Sequence, residues 1–191
     1  MQRAISNSLK LDDLIRRLDQ AVTAPDTESI CQAVKSTLID VVGSREEFLE
    51  PQFLRPCADR YARRLLHRDP AGRYTVVVMV WDRGQATPIH DHAGIWCVEC
   101  VYRGKIQVTS FNILGNCEAP TFKFVTENVV RAGVGEAGAL IPPFEYHMIE
   151  NPGSDAAITL HVYGGEMTWS NAYAPVGDGF RRERRELSYT D

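Results

Sequence analysis

The stretch Gly84-Gln-Ala-Thr87-Pro88-Ile-His90-Asp-His92-Ala-Gly94-Ile-Trp96-Cys97, closed by Gly104, decides how the rest of the chain is read. His90 and His92 are two apart. Side chains two apart on an extended strand share a face, so the two imidazoles would point the same way, beside Pro88 and Gly94. That is half of a metal site, and neutral imidazole suits Fe, Cu, Ni and Zn. For a bare His-x-His pair, two surface histidines in a turn is the competing reading. What surrounds the pair separates the two.

Working outward, the strand-like character extends through most of the C-terminal two thirds. Tyr74 to Trp81 is β-branched and apolar, the pattern of a buried strand. Short strand-like runs follow at 96–103, 105–113, 121–130, 138–142, 146–150 and 157–163, each bounded by Gly, Pro, Asn or Asp. Recurrence at that interval predicts an antiparallel β-barrel or sandwich. The tail from Glu166, with Trp169, Tyr173 and Phe180 among polar residues, is expected to wrap the barrel or add edge strands. Upstream the period changes. Leu11, Leu14, Ile15, Leu18 and Val22 recur at helical spacing within 8–22, and Ile30, Val34, Leu38 and Val41 do so within 28–42, with Gly43 as the expected stop. Residues 44–56 read as a short helix or loop, and 58–66 are too short to type. The expected organisation is an N-terminal helical region, 1–70, packed on a β-barrel with its tail, 71–191.

The bulk composition bounds the functional classes. The chain has 191 residues, 44% hydrophobic and 24% charged, with a formal net charge of -4. That suits one domain with a core that needs no disulfides. No basic field exists to attract nucleic acid. The run Arg181-Arg182-Glu183-Arg184-Arg185 is interrupted by acid and reads as a solvated face. Five cysteines, Cys31, Cys57, Cys97, Cys100 and Cys117, are an odd number, and only Cys97 and Cys100 stand three apart. The N-terminus has no apolar signal core and no run reaches membrane-span length. The expectation is a cytoplasmic protein with reduced thiols, no nucleic-acid or membrane partner, and a monomeric or small homo-oligomeric state.

The chain holds five histidines: His67, His90, His92, His147 and His161. His147 lies in Ile141-Pro-Pro-Phe144-Glu-Tyr-His147-Met-Ile-Glu-Asn151, where a later strand could bring it beside His90 and His92. A third imidazole would complete a three-histidine face with open positions.

At this point the residues resemble a known family. The spacing Gly84-x5-His90-x-His92-x4-Cys97-x6-Gly104 is similar to the first motif of the cupins, with Cys97 where most cupins carry a ligand Glu. Pro142 to Asn151 resembles the second motif, with Phe144 in place of a usual Gly. Cys at position 97 is what the cysteine dioxygenase type I branch looks like. Thr87-Pro-Ile-His90-Asp-His92, His147-Met-Ile-Glu-Asn151, Thr159-Leu-His161-Val-Tyr163, Tyr61-Ala-Arg63 and Val80-Trp81 resemble further motifs of that branch, over roughly residues 58–165.

The resemblance implies a single-domain, mainly β cupin barrel, or jelly roll, behind N-terminal α-helices. It also implies a mononuclear Fe(II) thiol dioxygenase that adds both atoms of O2 to the sulfur of a small carboxylate thiol. L-cysteine to cysteinesulfinate leads, because Arg63 stands where cysteine-type members hold their substrate carboxylate. Mercaptosuccinate and 3-mercaptopropionate are the alternative substrates, and a second carboxylate would fall to Arg64 or a tail residue. The implied metal ligands are His90, His92 and His147. Tyr163, His161, Thr159 and Cys97 are the implied catalytic set, with Arg63 and Tyr61 binding substrate. Cys97 and Tyr163 could form a thioether. His67 is assigned to the surface, and the other four cysteines are read as inert. A non-catalytic metal-binding cupin is the alternative of another class.

The chemistry agrees with the missing Glu. Three neutral imidazoles leave the two positive charges of a ferrous ion intact, so a thiolate can bind with charge nearly balanced, and the metal would lower the thiol's pKa.

Overall fold

In a computed structural model, residues 2–116, 119–143 and 145–191 are described, with side chains from Leu9 onward. Two helices come first. α1 (Gln2–Ala21) starts ahead of the expected 8–22. α2 (Thr27–Gly43) is capped by Asp26, whose carboxylate accepts from the Ser29 backbone N–H at 2.8 Å. That cap satisfies one of the free donors of the first turn. Gly43 does not make the stop. It is the last helical residue, and the chain leaves through Ser44 and then Arg45, at φ 57. Residues Pro51–Leu54 form one 3-10 turn.

Eleven strands follow: β1 (Ala62–Arg68), β2 (Thr75–Trp81), β3 (Ile89–His90), β4 (Cys97–Arg103), β5 (Lys105–Leu114), β6 (Lys123–Gly133), β7 (Ala137–Leu140), β8 (His147–Glu150), β9 (Ala157–Tyr163), β10 (Trp169–Val176) and β11 (Gly179–Glu186). They pair antiparallel into a five-stranded sheet, β1-β2-β9-β4-β7, and a six-stranded sheet, β11-β10-β3-β8-β5-β6. This is the mainly β, double-sheet architecture expected from the short strand runs. The tail forms the edge hairpin β10–β11.

The barrel sheet begins at Ala62, inside the stretch 1–70 that the sequence reading gives to helices. β1 is Ala-Arg-Arg-Leu-Leu-His-Arg, too basic to show a strand pattern. Its two arginines at 63 and 64 are nevertheless 5% and 7% exposed, because tertiary partners cover them.

The strand β2 is buried at every residue. The reason is that both faces of its sheet are covered. Val76, Val78 and Val80, with Val98, Leu160 and Val162, pack on Leu14 and Leu18 of α1 and Val34, Leu38 and Val41 of α2. Val77, Met79 and Trp81 face the barrel interior with Cys97, Ile106, Ile149 and Tyr163. Gly104, at φ 77, makes the β4–β5 turn, and a side chain there would press on the Ala157 Cα at 3.0 Å. Asn151 ties the end of β8 to β2, donating its amide to the Trp81 carbonyl at 3.0 Å and the Asp155 carbonyl at 2.8 Å. No helix among the described residues is long and apolar enough to cross a membrane. The described cysteines, Cys31, Cys57, Cys97 and Cys100, are free thiols. Cys117 and Phe144 lie outside the described residues.

Candidate active site

The histidine face is assembled by sheet register. His90 of β3 is the direct cross-strand partner of His147 of β8, and Ala172 of β10 flanks it on the other side. His92, two residues on, returns to the same side. The ring centroids lie 5.4 Å (His90–His92), 4.2 Å (His90–His147) and 4.9 Å (His92–His147) apart. One potential ligand atom from each falls within 4.8 Å of the others, and this is the one such trio among the described residues.

Asp91, between the two histidines, points the other way and pins the motif to β10. It accepts from the Asn171 backbone N–H (3.1 Å), the Asn171 amide (2.8 Å) and the Tyr173 hydroxyl (2.7 Å). It also accepts from the Ala93 N–H at 3.0 Å, holding Ala93 at φ 54. Sequence reasoning gave Asp91 no role, although its place between two candidate ligands was a signal.

The three rings fit a metal on their own chemistry. Burial lowers all three below the ordinary imidazole pKa, so the lone pairs stay free. His147 Nδ1 faces the Glu145 carbonyl at 2.8 Å, and His90 Nδ1 faces the Pro88 carbonyl at 3.2 Å. Each ring is thereby oriented by a carbonyl, the usual support of a ligating histidine. His147 Nε2 and His92 Nδ1 are buried with no hydrogen-bond partner. A buried polar atom left unpaired is costly, and a metal ion would relieve it.

A cavity of about 50 Å³ adjoins the trio. It holds a few waters or one small molecule. Tyr61, Arg63, His161 and Tyr163 all line it, so the structure brings these candidates together with His90 and His92. Arg63 reaches in from β1. Its Nη2 donates to the Met167 carbonyl at 3.0 Å, and its guanidinium lies 4.9 Å from the Tyr189 ring centre and 5.9 Å from that of Tyr163. Arg64, next on the strand, points away and donates to the Arg55 carbonyl at 2.7 Å. It is no candidate for a second carboxylate. Tyr61 stacks on Trp81 with ring centres 4.7 Å apart.

Thr159, His161 and Tyr163 alternate along β9 and face inward. Trp81 Nε1 donates to Thr159 Oγ1 at 2.9 Å, and Thr159 Oγ1 lies 2.8 Å from His161 Nε2. Indole can only donate. The threonine's own proton is then free for Nε2, which puts the ring proton on Nδ1. Near Nδ1 lie Cys97 Sγ at 3.9 Å and a Glu99 carboxylate oxygen at 3.6 Å. Burial, then the Arg63 charge, lower the His161 pKa to about 3, so this imidazole is neutral. Burial holds the Tyr163 phenol and the Cys97 thiol well above their ordinary pKa values. Cys97 and Tyr163 are direct cross-strand partners in the β4–β9 ladder. The rings of His161 and Tyr163 stack with centres 6.0 Å apart.

Two further residues escaped sequence reasoning. Glu99, a buried carboxylate on the barrel face of β4, is the cross-strand partner of His161. Its Oε2 is unpaired, and burial raises its pKa to about 7. Its alternation with Cys97 was the available signal. Arg185, from the run read as a solvated face, lines the cavity. His67, assigned to the surface, is half-buried in β1 against Tyr74, with ring centres 5.6 Å apart.

The model of the cysteine dioxygenase type I family matches residues 11–175. The chain belongs to this family. Membership makes it a dioxygenase-type enzyme of the cupin fold, and the three-histidine cluster is its candidate metal centre. Among solved structures, the chain is similar to an uncharacterized conserved protein with a double-stranded β-helix domain from Klebsiella pneumoniae. The identity is 19%, over 64% of this chain and 94% of that one, with a TM-score of 0.47. It is also similar to an RmlC-like cupin protein from Desulfovibrio desulfuricans (16% identity, 62% and 95% coverage, TM-score 0.44). A third is a Cupin 2 conserved barrel domain protein from Salinispora arenicola (16% identity, 62% and 86% coverage, TM-score 0.41).

Proposed function

We propose that the protein is a mononuclear non-haem iron(II) thiol dioxygenase, converting a small carboxylate thiol to its sulfinate. The observation that carries this reading is a three-imidazole cluster, His90, His92 and His147, two of whose rings line one small cavity together with a buried guanidinium. In the overall reaction RSH + O2 gives RSO2H: both oxygen atoms join sulfur, which gives up four electrons to them. Iron bound by His90, His92 and His147 would supply the redox centre and hold the thiolate.

This chain's own residues do the rest. Arg63, whose fork matches a carboxylate bidentately, orients the substrate, and Tyr61 adds a hydroxyl. Tyr163 keeps its phenol proton and can donate a hydrogen bond over the sulfur. Thr159 and His161 form a fixed wall behind it, with the imidazole held neutral. Met79, Ile149 and Met167 supply apolar lining to the cavity and limit water around the reacting sulfur.

L-cysteine is the first substrate to test, on the strength of Arg63. Arg185 favours a second reading, a thiol with two carboxylates such as mercaptosuccinate. An oxygen electrode decides the class: iron-loaded protein is given cysteine, 3-mercaptopropionate, mercaptosuccinate or cysteamine, and sulfinate is assayed by mass. Stoichiometric iron without oxygen uptake on any thiol would make the protein a non-catalytic metal-binding cupin.

A further inference from the structure

The cavity beside the histidines has two arginines, one from each sheet: Arg63 of β1 and Arg185 of β11. Among the described residues, no aspartate or glutamate lines it. We propose that Arg185 is a second anion subsite and that the thiol oxidised here carries two carboxylates. The inference rests on the dioxygenase reading for the thiol, but not for the anion site.

Strand register puts Arg185 there. In the β10–β11 hairpin Arg185 pairs with Ser170 and Glu183 with Ala172. Ser170 and Ala172 both line the cavity, and Ala172 also neighbours His90. Alternation gives Arg185 that same face. Arg184 takes the opposite face, its guanidinium 4.1 Å from the centre of the Trp169 ring. Two adjacent arginines of one basic run are thus directed to different tasks.

The guanidinium of Arg185 is also uncommitted. Among the described residues its ion pair is Glu183, at a distant 4.0 Å, while Glu183 is held by Arg181 at 2.8 Å. Its side chain is 52% exposed, so it sits at the mouth, where a wider groove shares Tyr61, Arg63, Pro88, Arg185 and Leu187 with the cavity. Arg63 lies at the buried end. Asp59 and Glu186 line only the outer groove.

Charge then selects the substrate class. Among the described residues, the lining has two guanidinium groups and no carboxylate to answer them. One carboxylate on Arg63 answers one of them. An ammonium group on the substrate would find no carboxylate among the lining residues, whereas a second carboxylate would meet Arg185. Both arginines line one cavity of about 50 Å³, so the ligand assigned to them is a short dicarboxylic acid. A four-carbon chain with the thiol beside one carboxylate fits that requirement.

The test separates the anion site from the chemistry. Succinate and butyrate, which lack a thiol, are titrated by calorimetry into metal-free parent, Arg185→Gln and Arg184→Gln proteins. Succinate should bind at least about tenfold tighter than butyrate to the parent and to Arg184→Gln, and the difference should vanish in Arg185→Gln. In iron-loaded protein, Arg185→Gln should cut the ratio of kcat/KM for mercaptosuccinate over 3-mercaptopropionate at least about tenfold. Equal binding of the two acids by the parent, or an unchanged ratio in Arg185→Gln, overturns the second subsite even if thiols are oxidised. Succinate binding that depends on Arg185, in a protein that oxidises no thiol, keeps the subsite and removes the dioxygenase reading.

Discussion

Replacing Arg63 with alanine tests how the substrate is held. A thiol bound through sulfur alone can rotate, and a carboxylate fixed by a guanidinium stops that rotation. Arg63 is 5% exposed and spends one donor on the Met167 carbonyl, leaving the others for a ligand. A charge-assisted hydrogen bond contributes roughly 1.5–3 kcal/mol. Its loss should lower kcat/KM for carboxylate thiols by about tenfold to over a hundredfold. The Arg63 backbone bonds to Thr190, N–H to Oγ1 at 3.0 Å and carbonyl to N–H at 2.6 Å, do not depend on the side chain. The tail should therefore stay docked, although Tyr189 loses the cation it packs against. Circular dichroism and a thermal melt check that the fold survives. The assay is oxygen uptake on cysteine, mercaptosuccinate and cysteamine. Cysteamine has no carboxylate, so it should be a poor substrate for the parent and change little in the variant. Arg63→Lys should recover only part of the loss, because it supplies charge without the planar fork. Parental kcat/KM on carboxylate thiols in Arg63→Ala would refute the reasoning, as would an equal fractional loss on cysteamine.

Three other expectations follow from the geometry. His90→Ala should retain the fold and lose most bound iron by elemental analysis; full occupancy would remove His90 from the site. Since Cys97 and Tyr163 are cross-strand partners, turnover would join Sγ to the ring with loss of two hydrogens to O2, which leaves as hydrogen peroxide. Intact mass and a faster gel band would report the link, Cys97→Ala would abolish it, and an unchanged mass after many turnovers would exclude it. Glu99 affects stability through pH. Burial raises its carboxyl from 4.5 to about 7, so the folded chain holds this proton where the unfolded chain releases it. Stability is therefore lost as pH rises through that window, by about 3 kcal/mol in order of magnitude. Glu99→Gln should lose less stability than the parent between about pH 5 and pH 8 in denaturant titrations. The Glu145 carboxyl, also raised to about 7, contributes equally to both proteins and cancels. Parallel pH profiles would show that Glu99 is not buried as described.

Sequence alone determined what is local or periodic. The strand runs from residue 74 to 163 needed only alternation and turn residues to be found, and each lies within a few residues of its observed place. His90 and His92 could be set on one face because side-chain direction on a strand repeats every two residues. Thr159, His161 and Tyr163 could be grouped for the same reason.

What required the tertiary structure is what depends on register between distant strands or on which face becomes covered. That His147 sits opposite His90 is a property of the β3–β8 pairing, which closes a loop of more than fifty residues. β1 was illegible because Arg63 is covered by the Met167 carbonyl and Tyr189, more than a hundred residues away, and Arg64 by the Arg55 carbonyl on the preceding loop. Arg185 looked like its exposed neighbours until hairpin pairing turned it toward Ser170. Glu99 read as an ordinary charged residue until two sheets closed over it. A charged side chain carries the same local signal whether it meets water or a ligand. Only the fold decides which, because the partners that determine its burial come from other strands.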